Sequence, residues 1–216
     1  GVTIHRATHV HAAGGGRLET SRGRFTAARI VVCPGDERLA LFPERFGALG
    51  IGRVRLHMMK VMPAAPAPHL SAAVMSDLSL VRYLGWAALP AAEALARRLE
   101  REEAGKLAQG IHLIAVQGAD GGLVVGDSHH HEPAPSPFAA DHVDELILAE
   151  LDAVLDLGAR RVVERWQGTY AHLPDRRCVI DAPEPATRLV VVTSGTGAST
   201  AFAIGEEVIQ ELCGRG

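Results

Sequence analysis

Residues 188–200, RLVVVTSGTGAST, hold an unbroken apolar run, Leu189–Val192, that stops at a turn containing Gly195 and Gly197. A short apolar run closed by glycines reads as a strand buried on both faces. The next segment, STAFAIGEEVIQELCG (199–214), has the composition and apolar spacing of a helix. Strand, glycine turn and helix start would gather unpaired backbone N–H groups at one point, suited to an anion or an electron-rich ring edge. Two glycines so close also serve an ordinary tight strand-to-helix turn, and the spacing alone leaves both readings open.

Further back, ARIVVCPG (28–35) ends the same way, with an apolar run stopping at Pro-Gly, and reads as a second buried strand. Before it, VTIHRATHV (2–10), a glycine run and RLETSRGRFT (17–26) predict antiparallel strands joined by a glycine turn. DERLALFPERF (36–46) predicts a short helix with acidic residues in its first turn. The middle reads differently. GRVRLHMMKVM (52–62) is a strand closed by PAAPAP, and GIHLIAVQGADGGLVVGDS (110–128) is a hairpin. LPAAEALARRLEREEAGKL (89–107) and PFAADHVDELILAELDAVLDLG (137–158) are amphipathic helices, the second ending at Gly158. RVVERWQGTYAHL (161–173) is a strand. Strand–helix units at both ends bracket local hairpins, so the pattern predicts an α+β (mixed α/β) fold of two modules, one of them discontinuous.

Aromatic residues make up only 4% of the 216, so the core must be built from aliphatic side chains. The net charge is −3, with Lys and Arg scattered, which argues against nucleic acid or an anionic membrane as the main partner. No apolar run is long enough for a membrane span. Three widely spaced cysteines, Cys33, Cys178 and Cys213, fit a reduced, cytoplasmic compartment. The chain opens at Gly1 without an initiator methionine, as if already inside a strand, and reads as a fragment of something longer.

GDSHHHEPAPSPF (126–138) carries three consecutive histidines. On an extended path His129 and His131 share a face, about 7 Å apart. With His112 on the partner strand they could hold zinc or iron, the reading of a small His-rich metalloprotein. No fuller set of ligands at metal spacing accompanies them, and a loop of solvated or hydrogen-bonding histidines is the plainer reading. An expression tag is excluded by position. Trp166 and Tyr170 stand four apart, on one face of a regular strand, either as packed aromatics or as a hydroxyl gripping a substrate. Arg55 and Lys60, beside Met58 and Met59, could attract an anion or simply face water.

In order, the hairpin, ARIVVCPG, a middle domain, Gly126-Asp127-Ser128, Trp166-Gln167-Gly168 and TSGTGAST (193–200) resemble the C-terminal part of an FAD-dependent oxidoreductase of the D-amino-acid oxidase and glycine oxidase superfamily. The resemblance spans essentially the whole chain. VVCPGDERLALFPE (31–44), LVVGDSHHHEP (123–133) and RWQGTYAHLPD (165–175) are similar to a branch encoded beside phosphonate-degradation genes. The resemblance implies a discontinuous remnant of an FAD-binding Rossmann-like domain (1–50 and 176–216) and an antiparallel-sheet substrate-binding domain (51–175). It implies FAD as cofactor, contacted by Val10, by Cys33, Pro34 and Gly35, and by Ser194, Gly195, Thr196, Gly197, Ala198, Ser199 and Thr200. It implies an enzyme that oxidises the C–N bond of a small amine by hydride transfer to flavin. The start of the last helix would stabilise the reduced flavin's charge.

Two departures shape that expectation. The GxGxxG fingerprint that cradles the FAD pyrophosphate is absent, so a missing N-terminal segment is an expected partner. Amino-acid oxidases often carry Arg-Pro shortly after W-x-G, where the arginine clamps the substrate carboxylate. Here those positions are Tyr170-Ala171, which points instead to a small anionic amine such as an aminophosphonate or its N-methylated form. Tyr170, His129, His130, Met59 and Lys60 are the expected substrate contacts, with no residue assigned to catalysis and none to a metal. A flavin-free substrate-domain binding module is the alternative, and a homo-oligomer is left open.

Overall fold

The computed structural model describes residues 1–65, 69–132 and 136–214. The chain divides into two compact units, a terminal unit of Gly1–Arg53 with Tyr170–Gly216 and a middle unit of Val54–Thr169. The sequence suggested divisions at 50/51 and 175/176; the divisions at 53/54 and 169/170 fall within two long strands. Helices and mostly antiparallel sheets make this a mixed α and β fold.

The terminal unit opens with β1 (Val10–Gly14), β2 (Arg17–Thr20) and β3 (Gly23–Thr26), which form an antiparallel sheet. Gly15 and Gly16 make the first turn with φ of 56° and 73°, the left-handed pair that a two-residue hairpin needs. β4 (Ile30–Val32) follows, then α1 (Pro43–Leu49). The expected helix from residue 36 is shortened because Pro43 has no N–H and can only begin one. It also bars helical backbone at Phe42, whose φ is 54°.

The middle unit takes up β5 (Gly52–Pro63), β6 (Val74–Met75), a 3₁₀ turn (Asp77–Ser79), α2 (Leu84–Ala87), α3 (Pro90–Glu102) and α4 (Ala104–Ala108). Then come β7 (Ile114–Gln117), β8 (Leu123–Gly126), β9 (His130–Glu132), α5 (Asp141–Val154) and β10 (Arg160–His172). The sheet order is β10-β5-β8-β7-β6, with β9 also paired to β5. The single helix expected over 89–107 breaks at Glu103, where φ is −126°. The helix expected to reach Gly158 ends at Val154. There the Asp156 carboxylate accepts the Gly158 N–H at 3.1 Å, a local bond that competes with helix continuation. Half of the PAAPAP segment, 66–68, lies outside the described residues, as do 133–135 of GDSHHHEPAPSPF.

Met59, Val61, Leu113, Leu123 and Val125 of this sheet pack on Val143, Ile147 and Leu151 of α5 and on Leu99 of α3, all essentially buried. The amphipathic spacing of both helices is what supplies this core. Burying each such side chain stabilises the unit by about 1.5–3 kcal/mol before entropy is counted.

The chain re-enters the terminal unit through β11 (Cys178–Glu184), β12 (Thr187–Val192) and α6 (Gly197–Cys213). The apolar pattern does not mark β11, whose CVIDAPE sequence is broken by a proline. β12 pairs antiparallel with β11 and parallel with β4. β12 is buried on both faces, as expected. Leu189 and Val191 meet Ile30, Val32 and Phe46, while Val190 meets Val208 and Leu212 of α6. β4 differs from the expectation: Ile30 and Val32 are buried but Val31 is 41% exposed. Among the described residues no helix is long and apolar enough to cross a membrane.

Candidate functional site

In the terminal unit a cleft of about 490 Å³ opens between β4, β12 and α6. Its walls include Val31, Cys33, Gly35, Val192, Gly197 and Ala201, so three of the expected cofactor contacts share one apolar surface. Gly35 has φ of 66°, which turns the chain after β4. Gly197 lets α6 start against the end of β12: a Cβ there would stand 3.2 Å from a Val192 methyl. Partial burial raises the pKa of the Cys33 thiol.

The turn is tied from below. Buried Thr193 donates its N–H to the Arg177 carbonyl at 2.9 Å and its hydroxyl to the Arg176 carbonyl at 2.7 Å. Ser194 Oγ donates to the Arg177 carbonyl at 3.1 Å and lies 2.8 Å from Thr196 Oγ1. Ser199 and Thr200 hydroxyls bond back to the Thr196 carbonyl at 3.0 and 2.9 Å. The N-cap residue Thr196 makes no side-chain cap, so its hydroxyl leaves the partial positive charge of the first amides, from Gly197 onward, uncapped. Tyr170 joins this turn: its hydroxyl lies 3.8 Å from where a Cβ on Gly195 would stand. Val10 lies apart from the cleft, in the β1–β2–β3 sheet.

The middle unit holds a buried polar chain that sequence spacing does not reveal. The Nδ1–H of His57 on β5 faces Asp144 Oδ1 on α5 at 2.9 Å, and Arg165 Nε on β10 donates to Asp144 Oδ2 at 2.9 Å. Arg55 Nη1 lies 2.8 Å from His57 Nε2. A guanidinium only donates, so Nε2 is the acceptor in this contact and Nδ1 faces the carboxylate with its proton. Ser128 Oγ accepts the His57 N–H at 3.1 Å and lies 2.9 Å from His130 Nε2. Beside the chain is a cavity of about 350 Å³ lined by His57, Met58, Asp144, Arg165, Trp166 and Gln167.

The other expected substrate contacts are scattered. Met59 is fully buried in the core. Lys60, on the opposite face of β5, bonds Asp120 at 2.6 Å, which raises its pKa. His130 belongs to the Ser128–His57 chain, with its ring 5.3 Å from that of His57. His129 is buried and lies 3.1 Å from the Gly110 carbonyl through Nδ1, while His131 is exposed. His57, Asp144 and Arg165 were not expected. Their signal is chemical type alone, because 87 residues separate the first two.

The family model described as "DAO: FAD dependent oxidoreductase" matches residues 1–211. The chain belongs to this family. Among solved structures, this DAO-family chain is similar to glycine oxidase from Geobacillus kaustophilus, at 15% identity and a TM-score of 0.61, over 97% of this chain and 49% of that one. It is similar also to L-proline dehydrogenase from P. horikoshii, at 16% identity and a TM-score of 0.62, over 95% of this chain and 49% of that one. Glycine oxidase from Bacillus cereus gives 12% identity and a TM-score of 0.62, over 95% and 49%. At such identities the likeness concerns the fold. The chain spans about half the length of the solved structures that it matches. No curated protein matches it in sequence.

Proposed function

We propose that this chain, completed by a preceding segment with the dinucleotide fingerprint, forms a cytoplasmic FAD-dependent oxidoreductase that oxidises the C–N bond of a small amine bearing a phosphonate group. Family membership supports the cofactor. The terminal unit fits it: an apolar cleft lined by Cys33, Gly35 and Gly197 suits a planar ring, and the uncapped start of α6 suits an electron-rich edge. Bound FAD supplies the two-electron acceptor. The chain's own part is to hold and orient. The amides of Gly197, Ala198 and Ser199 stabilise negative charge, and the cleft walls exclude water.

The observation that carries the substrate class is Tyr170 at the glycine turn, where an arginine clamp for an α-carboxylate would be expected. A phenol donates one hydrogen bond and cannot form the two-pronged pair that fixes a planar carboxylate. A tetrahedral phosphonate accepts single donors from several directions. The three free cysteines support the reducing compartment.

Anaerobic flavin reduction by the protein with its preceding segment tests the reading. Aminomethyl- and N-methylaminomethyl-phosphonate are expected to reduce the flavin faster than glycine does. Equal or faster reduction by glycine removes the phosphonate assignment, and a preparation that takes up no flavin removes the oxidoreductase reading.

A further inference from the structure

Three side chains of the middle unit converge outside the His57 chain. The His112 N–H donates to the Asp127 carbonyl at 3.2 Å, and the Asp127 N–H donates to the His112 carbonyl at 3.4 Å. Such a reciprocal pair places both side chains on one face of the two strands. A one-residue slip creates it: Ile114 pairs with Gly126, so an unbroken register would set His112 opposite Ser128. His129, two residues beyond Asp127, completes the group, its ring stacked 4.7 Å from that of His112. One ligand atom from each residue lies within 4.8 Å of the others. His112 Nε2 is 3.2 Å from Asp127 Oδ1, and His129 Nε2 is 3.8 Å from Asp127 Oδ2.

The His129 ring is oriented as a ligand, whereas His112 Nδ1 is buried without a hydrogen-bond partner among the described residues. His129 Nδ1 faces the Gly110 carbonyl at 3.1 Å, and a carbonyl can only accept. The proton therefore sits on Nδ1, and Nε2 turns a lone pair toward the group, as in histidines whose second nitrogen is anchored by a backbone oxygen. His112 and Asp127 are 3.2 Å apart, yet Asp127 Oδ1 has no partner in hydrogen-bond geometry among the described residues. Two ligand atoms at that separation are spaced much as neighbours on one small ion, where bonds near 2.1 Å at tetrahedral angles set ligand atoms about 3.4 Å apart.

We propose that His112, Asp127 and His129 form a site for a divalent ion of the zinc type, with the fourth position open to water. Two imidazoles and one carboxylate are a zinc donor set. The ion would fasten the chain ahead of β7 to the segment after β8. His131 is exposed and outside the group, so the set differs from the His112, His129 and His131 trio that spacing suggested. The ligand atoms, now within 4.8 Å of one another and 3.8 Å apart between His129 Nε2 and Asp127 Oδ2, must draw together before one ion reaches all three. The positive charge of Arg82 acts on all three residues and opposes a cation there.

The test is titration of the purified, chelator-treated protein with Zn²⁺ and Co²⁺. A His9→Gln, His11→Gln, His131→Gln background removes three of the exposed imidazoles, the adjacent His9 and His11 rings among them. One equivalent of Zn²⁺ is expected, with Co²⁺ giving the intense visible bands of four-coordination and Zn²⁺ abolishing them. Asp127→Asn and His129→Gln are expected to weaken uptake roughly tenfold or more. Loss of uptake in the triple-Gln background overturns the proposal, as does unchanged affinity in Asp127→Asn. If those variants do not fold, the Co²⁺ spectrum of the parent protein decides: weak six-coordinate bands or no uptake overturns it. No step of this test requires flavin.

Discussion

His57 and Asp144 meet at 2.9 Å with both side chains almost wholly buried, and Arg165 holds the second carboxylate oxygen at the same distance. One carboxylate thus ties β5, α5 and β10 together. Asp144→Ala leaves a buried N–H and a guanidinium without their acceptor and is expected to cost about 3 kcal/mol. Asp144→Asn keeps the shape and costs less. Urea unfolding measures both, and a loss below about 1 kcal/mol for the alanine variant would count against the network.

Lys106 gives a pH-dependent term. Burial alone would lower its pKa, but hydrogen bonds to Glu103 and Glu150, at 2.7 and 2.6 Å, outweigh that and raise it. A raised folded-state pKa means stability that is complete below the ordinary lysine value and lost as pH climbs through the folded one. Glu150→Gln should weaken this alkaline dependence, Glu103 keeping its share. Unfolding midpoints from pH 8 to 11 that run parallel in parent and variant would contradict it.

Gly110→Ala should destabilise by about 2 kcal/mol or more. Gly110 has φ of 61°, and an added Cβ would stand 2.9 Å from both the Cβ and the carbonyl oxygen of His129. The left-handed backbone alone costs an L residue about 1–2 kcal/mol, and the clash adds to it. Thermal unfolding monitored by circular dichroism is sufficient to check this.

Cys33 should alkylate more slowly than a free thiol near pH 8, because burial raises its pKa and so lowers its thiolate fraction. In a Cys178→Ser, Cys213→Ser background the iodoacetamide rate should rise at a pH above the ordinary thiol value. A rise below it would overturn the assignment. Flavin seated in the cleft should slow the reaction further.

Under the proposed function, Tyr170→Phe removes one donor at the glycine turn. The expected outcome is a KM raised roughly tenfold for the phosphonate substrate, with binding of FAD unchanged. An unchanged KM would place the hydroxyl outside the substrate site.

Local pattern carried much of this architecture. The apolar run at 189–192, the glycine pair after it and the amphipathic helix behind it announced β12, the turn and α6, because periodicity and backbone freedom are properties of neighbours in sequence. The same holds for the Gly15–Gly16 hairpin and for β7 with β8. Element ends were less legible: Pro43 delayed α1 and the Asp156 side chain displaced the end of α5, each by a local bond or steric bar that hydrophobic spacing does not register.

The sequence by itself determined that aliphatic strands and two amphipathic helices would build a mixed fold, and that a glycine turn would meet a helix start near Gly197. Only the tertiary structure decided how the histidines divide. His130 joins the Ser128–His57 chain, His129 joins His112 and Asp127, and His131 stays exposed. That division depends on a one-residue slip between two strands and on an aspartate 87 residues from its histidine. Strand register and burial arise from the packing of distant segments, and spacing along the chain carries no trace of either.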